Sequence, residues 1–356
     1  MPTLTEDAVL KALATVQEPE LGGNLVARNM IKDLVIDGAR VAFTIELTTP
    51  ACPLKDEIQA RVEAALKPIG AREIEVGWGA TVRRSTPTAP QMLPGVKNIV
   101  AVASGKGGVG KTTVSVNLAV ALARAGASVG LLDADITGPN IPMMIGAEGQ
   151  PVASANGKIT PIEAYGVKVI SIQFFLPEGQ PVVWRGPLVG GAIQQFLRDV
   201  EWGDLDYLVV DLPPGTSDAQ LTLAQSVPLT GAVLVTTPQQ VALADVAKAM
   251  AMFKRVSVPI LGLVENMSGF VCAHCGEVTD IFGRGGGERF AVENGIDFLG
   301  GVPLDVTVRQ GADVGVPAVA QSQAGPAVKA LEHVARAIAG KVSIQAARKQ
   351  PILTVS

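Results

Sequence analysis

The sequence predicts an α/β fold in which a mostly parallel sheet, covered by helices on both faces, follows a small α+β domain. Three observations predict it. Six short apolar runs alternate with helical stretches over residues 97–340, which is typical of a parallel sheet buried on both faces. A glycine-rich loop separates the first of these runs from a long alanine-rich stretch. Residues 1–82 follow another order, helix, strand, strand, helix and strand.

Residues 1–82 are predicted to form the small α+β domain. We expect its elements, in order, to be a helix at about 6–16, a hairpin over 31–47, a helix at about 52–66 and a strand near 74–78. Asp37-Gly38 is a strong hairpin signal because it stands between two runs of alternating apolar residues. Every second residue from Val41 to Leu47 is apolar, so one face of the second strand is expected to be buried.

A linker is predicted over residues 83–96, where the chain is polar and contains several prolines. The larger domain follows over 97–340, with strands expected at 99–103, 129–133, 207–211, 232–236, 260–265 and 298–302. Polar motifs fall at the carboxyl ends of these strands, the edge at which parallel sheets bind ligands. Residues 341–356 contain Pro351 and are predicted to be a loose C-terminal tail.

Charge and composition exclude several classes of protein. The 29 basic and 33 acidic residues give a net charge of −4, so no global charge favours nucleic acid or an anionic membrane. No uninterrupted apolar run reaches the roughly 18 residues of a membrane-spanning helix, and the first residues lack the pattern of a signal peptide. Three cysteines, an odd number, argue against a disulfide framework. We therefore expect a cytoplasmic protein.

The glycine-rich loop spans residues 103–113 and has the spacing of a phosphate-binding loop. Its glycines let the backbone turn tightly and direct N–H groups at phosphate oxygens. In this pattern Lys111 reaches the β- and γ-phosphates, and the Thr112 hydroxyl binds Mg²⁺. The helix expected at 112–125 directs its positive end at the phosphates. The expected nucleotide-binding residues of the loop are Gly105, Lys106, Gly107, Gly108, Val109, Gly110, Lys111, Thr112 and Thr113.

Three carboxylates are expected beside this loop and are further candidates for cofactor binding. Asp133 and Asp135 follow one predicted strand, and Asp211 follows another. Carboxylates at such positions order the water shell of Mg²⁺ or align an attacking water. Asp211 also opens the segment 211–218, in which the N–H of Gly215 can turn toward a γ-phosphate, as in a switch loop. Three carboxylates in this order after a phosphate loop favour a role in a nucleotide site over a role as helix caps or turn residues.

Cys272 and Cys275 stand three positions apart after the strand predicted at 260–265. Two thiols at this spacing can bind one metal centre, and three interpretations are open: a zinc half-site, a redox dithiol and half of an iron–sulfur site. His274 lies between them in an unfavourable direction, and Cys52 belongs to the other domain. If the chain dimerises about a two-fold axis, two pairs supply four thiolates. That number suits a [4Fe-4S] cluster or a zinc ion held by four cysteines.

With Lys106 as an extra lysine inside the loop, the chain resembles the deviant Walker-A class of P-loop ATPases. The resemblance implies that Lys106 reaches across a dimer to the nucleotide of the partner. It also implies that Asp135 acts on the attacking water and that Asp211 belongs to the Mg²⁺ shell. Lys106, Lys111 and Asp135 are then the expected catalytic residues. Asn266 matches the asparagine that reads adenine in this class, which implies ATP.

Four segments together resemble the Mrp/ApbC family of iron–sulfur cluster carrier ATPases over about residues 96–340. These segments are 106–113, 133–140, 211–218 and 266–276. The resemblance implies a P-loop ATPase that uses ATP and Mg²⁺. It also implies that Cys272 and Cys275 of two chains in a homodimer hold a labile [4Fe-4S] cluster, which is handed to apo iron–sulfur proteins.

Residues 1–82 resemble the MIP-type domain, also called domain of unknown function 59, which often precedes such ATPases. The matching segments are 48–53 and 18–22, with Glu18 where this domain commonly has aspartate. Cys52 is expected at a helix N-terminus with Pro53 as the first helical residue, where the helix dipole lowers the pKa of a thiol. Two interpretations of Cys52 are open: a reactive or cluster-receiving thiol, and a small buried residue.

Two alternatives to a cluster carrier share the same loop. The first is a partition or cell-division ATPase. Such ATPases bind DNA or membranes, but they do not need a Cys-x-x-Cys pair. Residues 343–356 also lack the steady apolar stripe of a membrane-binding helix. A zinc-bridged scaffold that uses ATP as a dimer switch is the other alternative. We expect neither a nucleic acid nor a membrane as partner.

Overall fold

The computed structural model of the protein describes residues 4–85, 93–136, 138–176, 186–215, 220–221, 224, 229–272, 274–322 and 325–348. Within these residues the chain forms two sheets, one of three strands and one of nine. The predicted switch residues 216–218, part of the predicted linker (86–92) and the end of the predicted tail (349–356) lie outside the described residues.

The N-terminal domain has the predicted order of elements. They are α1 (Glu6–Leu13), β1 (Ile31–Asp37), β2 (Arg40–Leu47), α2 (Lys55–Leu66) and β3 (Glu73–Ala80). Strand β1 pairs antiparallel with β2, and β2 pairs parallel with β3. The hairpin turns after Asp37 as predicted, with Gly38 at a φ of 59°. The alternating apolar residues of β2 are buried and share one core with residues of α1 and α2.

Both helices of this domain are shorter than predicted. Helix α2 begins at Lys55 rather than at Cys52, and α1 ends at Leu13 rather than at Val16. A proline disfavours helical backbone in the residue before it, so Cys52, which precedes Pro53, lies outside the helix. The carbonyl of Val16 accepts a hydrogen bond from the loop after α1 at 3.1 Å.

The described residues of the larger domain form nine strands. Its elements are β4 (Val96–Ser104), α3 (Lys111–Arg124), β5 (Val129–Asp133), α4 (Ile141–Ile145), β6 (Ile162–Ala164), β7 (Val167–Ile170), α5 (Gly186–Asp199), β8 (Leu205–Asp211), β9 (Gly231–Thr236), α6 (Gln240–Arg255), β10 (Ile260–Val271), β11 (Val278–Thr279), α7 (Gly286–Glu293), β12 (Phe298–Leu304), α8 (Val306–Asp313) and α9 (Pro326–Arg348). The strand order is β11-β10-β9-β4-β8-β5-β7-β6, and β12 pairs with β10. Among the described strands of this sheet, β6–β7 and β10–β11 are antiparallel and the other pairs are parallel, as predicted.

The six predicted strands of the larger domain are all present, as β4, β5, β8, β9, β10 and β12. Strand β10 is longer than predicted, because it runs from Ile260 to Val271 and thus reaches the cysteine pair. Strands β6, β7 and β11 were not predicted. They have only two to four residues each, and so short a run carries too little apolar pattern to be recognised.

Helices cover both faces of the large sheet, as predicted. On one face α3 and α9 pack together, with Leu118 and Leu331 in a shared core. On the other face α5 and α6 bury Phe196 and Phe253. No helix in the described part of the chain is long and apolar enough to cross a membrane.

Helix α9 does not end at Gly340, where the sequence analysis places the start of a loose tail. It continues to Arg348. Val342 and Ala346 are each 1% exposed, so the apolar stripe that holds the helix on the sheet extends into this segment. Residues 341–348 therefore belong to the packed domain.

The two domains contact each other beside α3, α9 and β8. The hydroxyl of Tyr207, fully buried in β8, donates to the Thr49 hydroxyl at 3.0 Å. Ala51 and Val82 of the N-terminal part join the core formed by α3 and α9. A cleft of about 620 Å³ remains between the domains, and Cys52 is one of the residues that line it.

Candidate nucleotide site and cysteine pair

The glycine-rich loop connects a strand to a helix, as the sequence predicts. Strand β4 ends at Ser104 and helix α3 begins at Lys111. Gly108 and Gly110 have φ angles of 78° and 82°, in the left-handed region that other residues rarely adopt. The positive end of α3 therefore faces the loop, where it favours an anion.

Lys111, Thr112 and Asp211 form one hydrogen-bonded group at this helix end. The Lys111 ammonium and the Thr112 hydroxyl each donate to Asp211 Oδ2 at 2.8 Å. The Ser115 hydroxyl donates to the other oxygen, Oδ1, at 2.6 Å. Lys111 is 6% exposed and Asp211 is fully buried, so the carboxylate compensates a cation that solvent does not reach. The structure thus brings three of the predicted residues together.

Asp133 ends β5 and Asp135 follows it, and the two lie beside this group in different ways. The Asp135 carboxylate is 3.7 Å from Lys111 Nζ. Asp133 is 1% exposed and accepts from the Ser171 hydroxyl at 2.9 Å. Burial, followed by repulsion from Asp211, raises the pKa of Asp133 to about 8. Both carboxylates are near Lys111, but Asp133 is enclosed by protein groups.

Two further predicted residues contact the loop. The side-chain amide of Asn266 donates to the carbonyl of Val109 at 2.9 Å. It also lies so close to Gly110 that a Cβ there would collide with it. The N–H of Gly215 donates to the carbonyl of Ser104 at 2.9 Å. The start of the predicted switch segment is therefore joined to the loop by a backbone hydrogen bond.

The remaining predicted residues complete the turn of the loop. Lys106 is half-buried, and its carbonyl accepts from the Ser104 hydroxyl at 3.0 Å. Gly105 lies against the backbone of Asp245 in α6, where a side chain would collide. Of the other predicted residues, Val109 is buried, Thr113 is half-buried, and Gly107 and Gly108 are exposed.

Cys272 and Cys275 lie in the hairpin that joins β10 to β11. The N–H of Cys272 donates to the carbonyl of Glu277 at 2.9 Å, and the N–H of Gly276 donates to the carbonyl of Cys272 at 2.8 Å. Backbone N–H groups of Cys275 and His274 donate to the Cys272 sulfur and, with the Cys275 side chain, lower the pKa of this thiol. Such donors stabilise the thiolate, which is the form that binds metal.

This cysteine pair is open to solvent, since Cys272 is half-buried and Cys275 is exposed. Among the residues that the structure describes, no group of three or more His, Cys, Asp or Glu side chains could hold a metal ion. The pair supplies two thiolates, so a metal centre with four thiolate ligands needs two further thiolates from outside this hairpin.

Cys52 lies apart from this pair, buried at the domain contact. Burial raises the pKa of its thiol to about 11, although the backbone N–H of Leu54 opposes the shift. The expectation that a helix dipole lowers this pKa is wrong. Helix α2 begins at Lys55, beyond the cysteine, and the loss of solvent outweighs the N–H donor.

Three buried polar residues that support the site were not indicated by the sequence analysis. Ser115 lies one turn after the phosphate lysine, a spacing that places both on one helix face. Ser171 follows β7 at the carboxyl edge of the sheet, but β7 itself was not predicted. Glu265 of β10 accepts from the N–H groups of Gly285 and Gly287 beyond the cysteine hairpin, a tertiary contact with no local pattern.

Two families match successive parts of the chain. Residues 95–339 match the family described as NUBPL iron-transfer P-loop NTPase. Residues 6–77 match the family described as iron-sulfur cluster assembly protein. The first match covers more than half of the chain and includes both the glycine-rich loop and the cysteine pair.

Two bacterial relatives resemble the chain over nearly its full length. It is 51% identical over 348 residues to the iron-sulfur cluster carrier protein of Deinococcus radiodurans, which covers 97% of this chain and 98% of that protein. It is 50% identical over 350 residues to the protein of the same name from Synechocystis, with coverage of 96% and 99%. The resemblance noted from the sequence motifs is thereby confirmed.

Solved structures support the same fold. The nucleotide-binding protein of Archaeoglobus fulgidus in complex with ADP aligns with a TM-score of 0.57 at 42% identity, covering 63% of this chain and 89% of that chain. The cell division ATPase MinD of Pyrococcus furiosus aligns with a TM-score of 0.51 at 25% identity, covering 68% and 98%. These alignments confirm the predicted P-loop NTPase fold. The chain belongs to the NUBPL iron-transfer P-loop NTPase family.

Proposed function

We propose that this protein is an ATP-hydrolysing carrier of iron–sulfur clusters, which assembles a labile [4Fe-4S] cluster between two copies of the chain and transfers it to apo iron–sulfur proteins. The observation that carries the proposal is the arrangement of β10. This strand contacts the phosphate loop through Asn266 and leads directly into the hairpin of Cys272 and Cys275. Relatives named iron-sulfur cluster carrier protein support the proposal.

The residues around Lys111 suit ATP with Mg²⁺. The helix N-terminus and the N–H groups of the loop favour phosphate oxygens, and the ammonium supplies a cation for the β- and γ-phosphates. Thr112 and Asp211 offer the oxygen atoms that Mg²⁺ prefers, directly or through its waters. Bound Mg²⁺ offsets negative charge on the phosphates. Asp135, 3.7 Å from the ammonium, is the carboxylate that orients the attacking water.

Two copies of the chain act together in this proposal. Lys106 reaches the nucleotide of the partner, and the Asn266 amide reads adenine from within its own chain. An amide can pair with the adenine N6 donor and with a ring nitrogen at once. Hydrolysis by one chain then depends on the presence of the other. ATP hydrolysis is thereby coupled to formation of the dimer.

The cysteine hairpin suits a cluster that is carried as cargo and then released. Thiolates are the usual ligands of iron–sulfur clusters. Each chain supplies two, so four come together in the homodimer. Cys275 is exposed and Cys272 is half-buried, so thiols of an acceptor can reach the cluster. Two ligands per chain also make release easier than four ligands from one chain would.

The proposed setting of this chemistry is the cytoplasm. Among the described residues all three cysteines are free. Free thiols are maintained in a reducing compartment, and cluster transfer between thiolates needs such conditions.

Anaerobic reconstitution with iron and sulfide tests the proposal. We expect about four irons and four sulfides per dimer, transferable to an apo-acceptor, in the wild type and in Cys52→Ala. The double variant Cys272→Ala/Cys275→Ala should bind none. Binding of zinc with no cluster formed would reject the carrier and favour the zinc-bridged scaffold.

A further inference from the structure

Ser171 is a fully buried serine beside the nucleotide site. It follows β7, which pairs in parallel with β5 so that Ile170 lies opposite Leu132. The next residues along the two strands, Ser171 and Asp133, therefore lie side by side at the carboxyl edge of the sheet. The Ser171 hydroxyl donates to Asp133 Oδ2 at 2.9 Å. Its oxygen accepts from the N–H of Gln173 at 3.2 Å, which leaves the hydroxyl proton for Asp133.

The Asp133 carboxyl group in turn accepts hydrogen bonds from both ends of the segment that joins β5 to α4. Its Oδ1 accepts from the N–H of Asp135 at 3.2 Å, and its Oδ2 accepts from the N–H of Ile141 at 3.4 Å. Since Asp133 is 1% exposed, water cannot replace a donor that is lost. The orientation of this carboxyl group thus depends on Ser171, and the path of the backbone around Asp135 depends on the carboxyl group.

We propose that Ser171 is a positioning residue for ATP hydrolysis, which acts through Asp133 to set the place of the Asp135 carboxylate relative to Lys111. The inference rests on the proposed function, in which Asp135 orients the attacking water. The hydrogen bonds of the Ser171 side chain go to Asp133 and Gln173. Through the first of these bonds Ser171 acts on the reaction by way of Asp133.

Loss of the Ser171 hydroxyl removes a side-chain hydrogen-bond donor to Asp133. The carboxyl group then loses one of the hydrogen bonds that fix its orientation, and the N–H of Asp135 loses a fixed acceptor. A displacement of about 1 Å at a reacting group can cost on the order of 100-fold in rate. Binding of the phosphates by the loop and by Lys111 does not use these contacts, so affinity is retained while the rate falls.

Ser171→Ala in the full-length protein tests this inference, with Ser154→Ala as a matched control. The Ser154 hydroxyl is also buried but has no hydrogen-bond partner in the described part of the chain. We expect Ser171→Ala to lower kcat for ATP about tenfold. The Kd for a non-hydrolysable ATP analogue with Mg²⁺ should stay within about twofold, and Ser154→Ala should change neither quantity.

A second comparison distinguishes positioning from a general loss of structure. If Ser171 acts through Asp133, adding Ser171→Ala to Asp133→Asn should lower kcat no further. The inference is overturned by a wild-type kcat in Ser171→Ala, by equal losses of kcat and analogue affinity, or by independent losses in the double variant. Wild-type hydrolysis is measured in the same series. Its absence would reject the proposed function, whereas an unaffected Ser171→Ala would reject only the role of Ser171.

Discussion

The side-chain amide of Asn266 donates to the carbonyl of Val109 at 2.9 Å and fastens β10 to the phosphate loop. Cys272 directly follows the end of the same strand. Between them Met267 and Gly269 have φ angles of 57° and 108°, and the pairing of β10 with β12 shifts register. A conformational change of the loop on nucleotide binding can therefore be transmitted along the irregular part of β10 to the cysteine hairpin.

Asn266→Ala should uncouple cluster transfer from the nucleotide. The change removes the bond that joins β10 to the loop, together with the proposed contact to adenine, but leaves both thiols in place; transfer is therefore compared at MgATP concentrations that saturate the variant. In the wild type we expect MgATP to change the rate of cluster transfer to an apo-acceptor. In the variant this change should be at least about fivefold smaller. The measurement is the transfer rate with and without MgATP, followed by visible absorption.

Asn294→Ala is the matched control for this prediction. Its amide also donates to a backbone carbonyl, that of Phe290 at 2.8 Å, but at the end of α7. The effect of MgATP should be retained in this control. An equal effect of MgATP in Asn266→Ala and the wild type would show that the bond to Val109 carries no coupling.

Lys111→Ala should abolish ATP hydrolysis. It removes the cation proposed to face the phosphates and leaves Asp211 buried without its 2.8 Å ion pair. Loss of one preorganised charge at a transition state typically costs about 100-fold or more in kcat. Phosphate release in steady state measures the effect. Lys248→Ala, which removes an exposed lysine paired with Asp245, should retain hydrolysis, and a wild-type rate in Lys111→Ala would refute the loop assignment.

Cys52 should react slowly with iodoacetamide in the metal-free protein. Its thiol is buried and has a pKa of about 11, so at pH 8 only about a thousandth of it is thiolate. Cys275 is exposed and should react at least about tenfold faster. Mass spectrometry of the peptides gives both rates, and unfolding in denaturant should make them equal. Equal rates in the folded protein would contradict the buried, protonated state of Cys52.

Glu20 should make stability depend on pH. Burial, followed by repulsion from Glu18, raises its pKa to about 7 despite the nearby Lys341. The folded protein therefore binds this proton more tightly than the unfolded chain. The resulting stabilisation is complete below the unfolded value of 4.5 and is lost as pH rises through about 7.

Glu20→Gln has a side chain that cannot ionise. Its Tm gain over the wild type should be about 2 °C larger at pH 8 than at pH 5, after allowance for solvent screening. Thermal unfolding at the two pH values measures the difference. Glu6→Gln, at an exposed helix position, is the control and should show none. A gain that is the same at both pH values would contradict the raised pKa of Glu20.

The phosphate loop and the positions of six strands along the chain could be predicted from the sequence, because each has a local pattern of residues. Lys111 and Thr112 follow a glycine run at fixed positions, and the strand before them is a continuous apolar run. Asp211 ends β8, and Asp135 lies just after β5; parallel pairing brings these strand ends to one edge of the sheet. Their approach to Lys111 follows from topology once the sheet is predicted.

Other features could not be predicted because they depend on contacts between distant segments. Ser171 meets Asp133 through the pairing of β7, which has only four residues. The pKa of Cys52 is set by burial at the domain contact, whereas its position beside Pro53 suggests a helix end. Residues 341–348 are predicted as part of a loose tail, but Val342 and Ala346 are buried and the segment is helical.

The central claim is that one cluster is shared between two copies of the chain. Native mass spectrometry after anaerobic reconstitution measures this most directly, with Cys272→Ala as the control chain. The account predicts a species with the mass of two chains plus one four-iron, four-sulfide cluster, absent from the Cys272→Ala protein. A cluster that remains on a single chain, or one that Cys272→Ala retains, would contradict it.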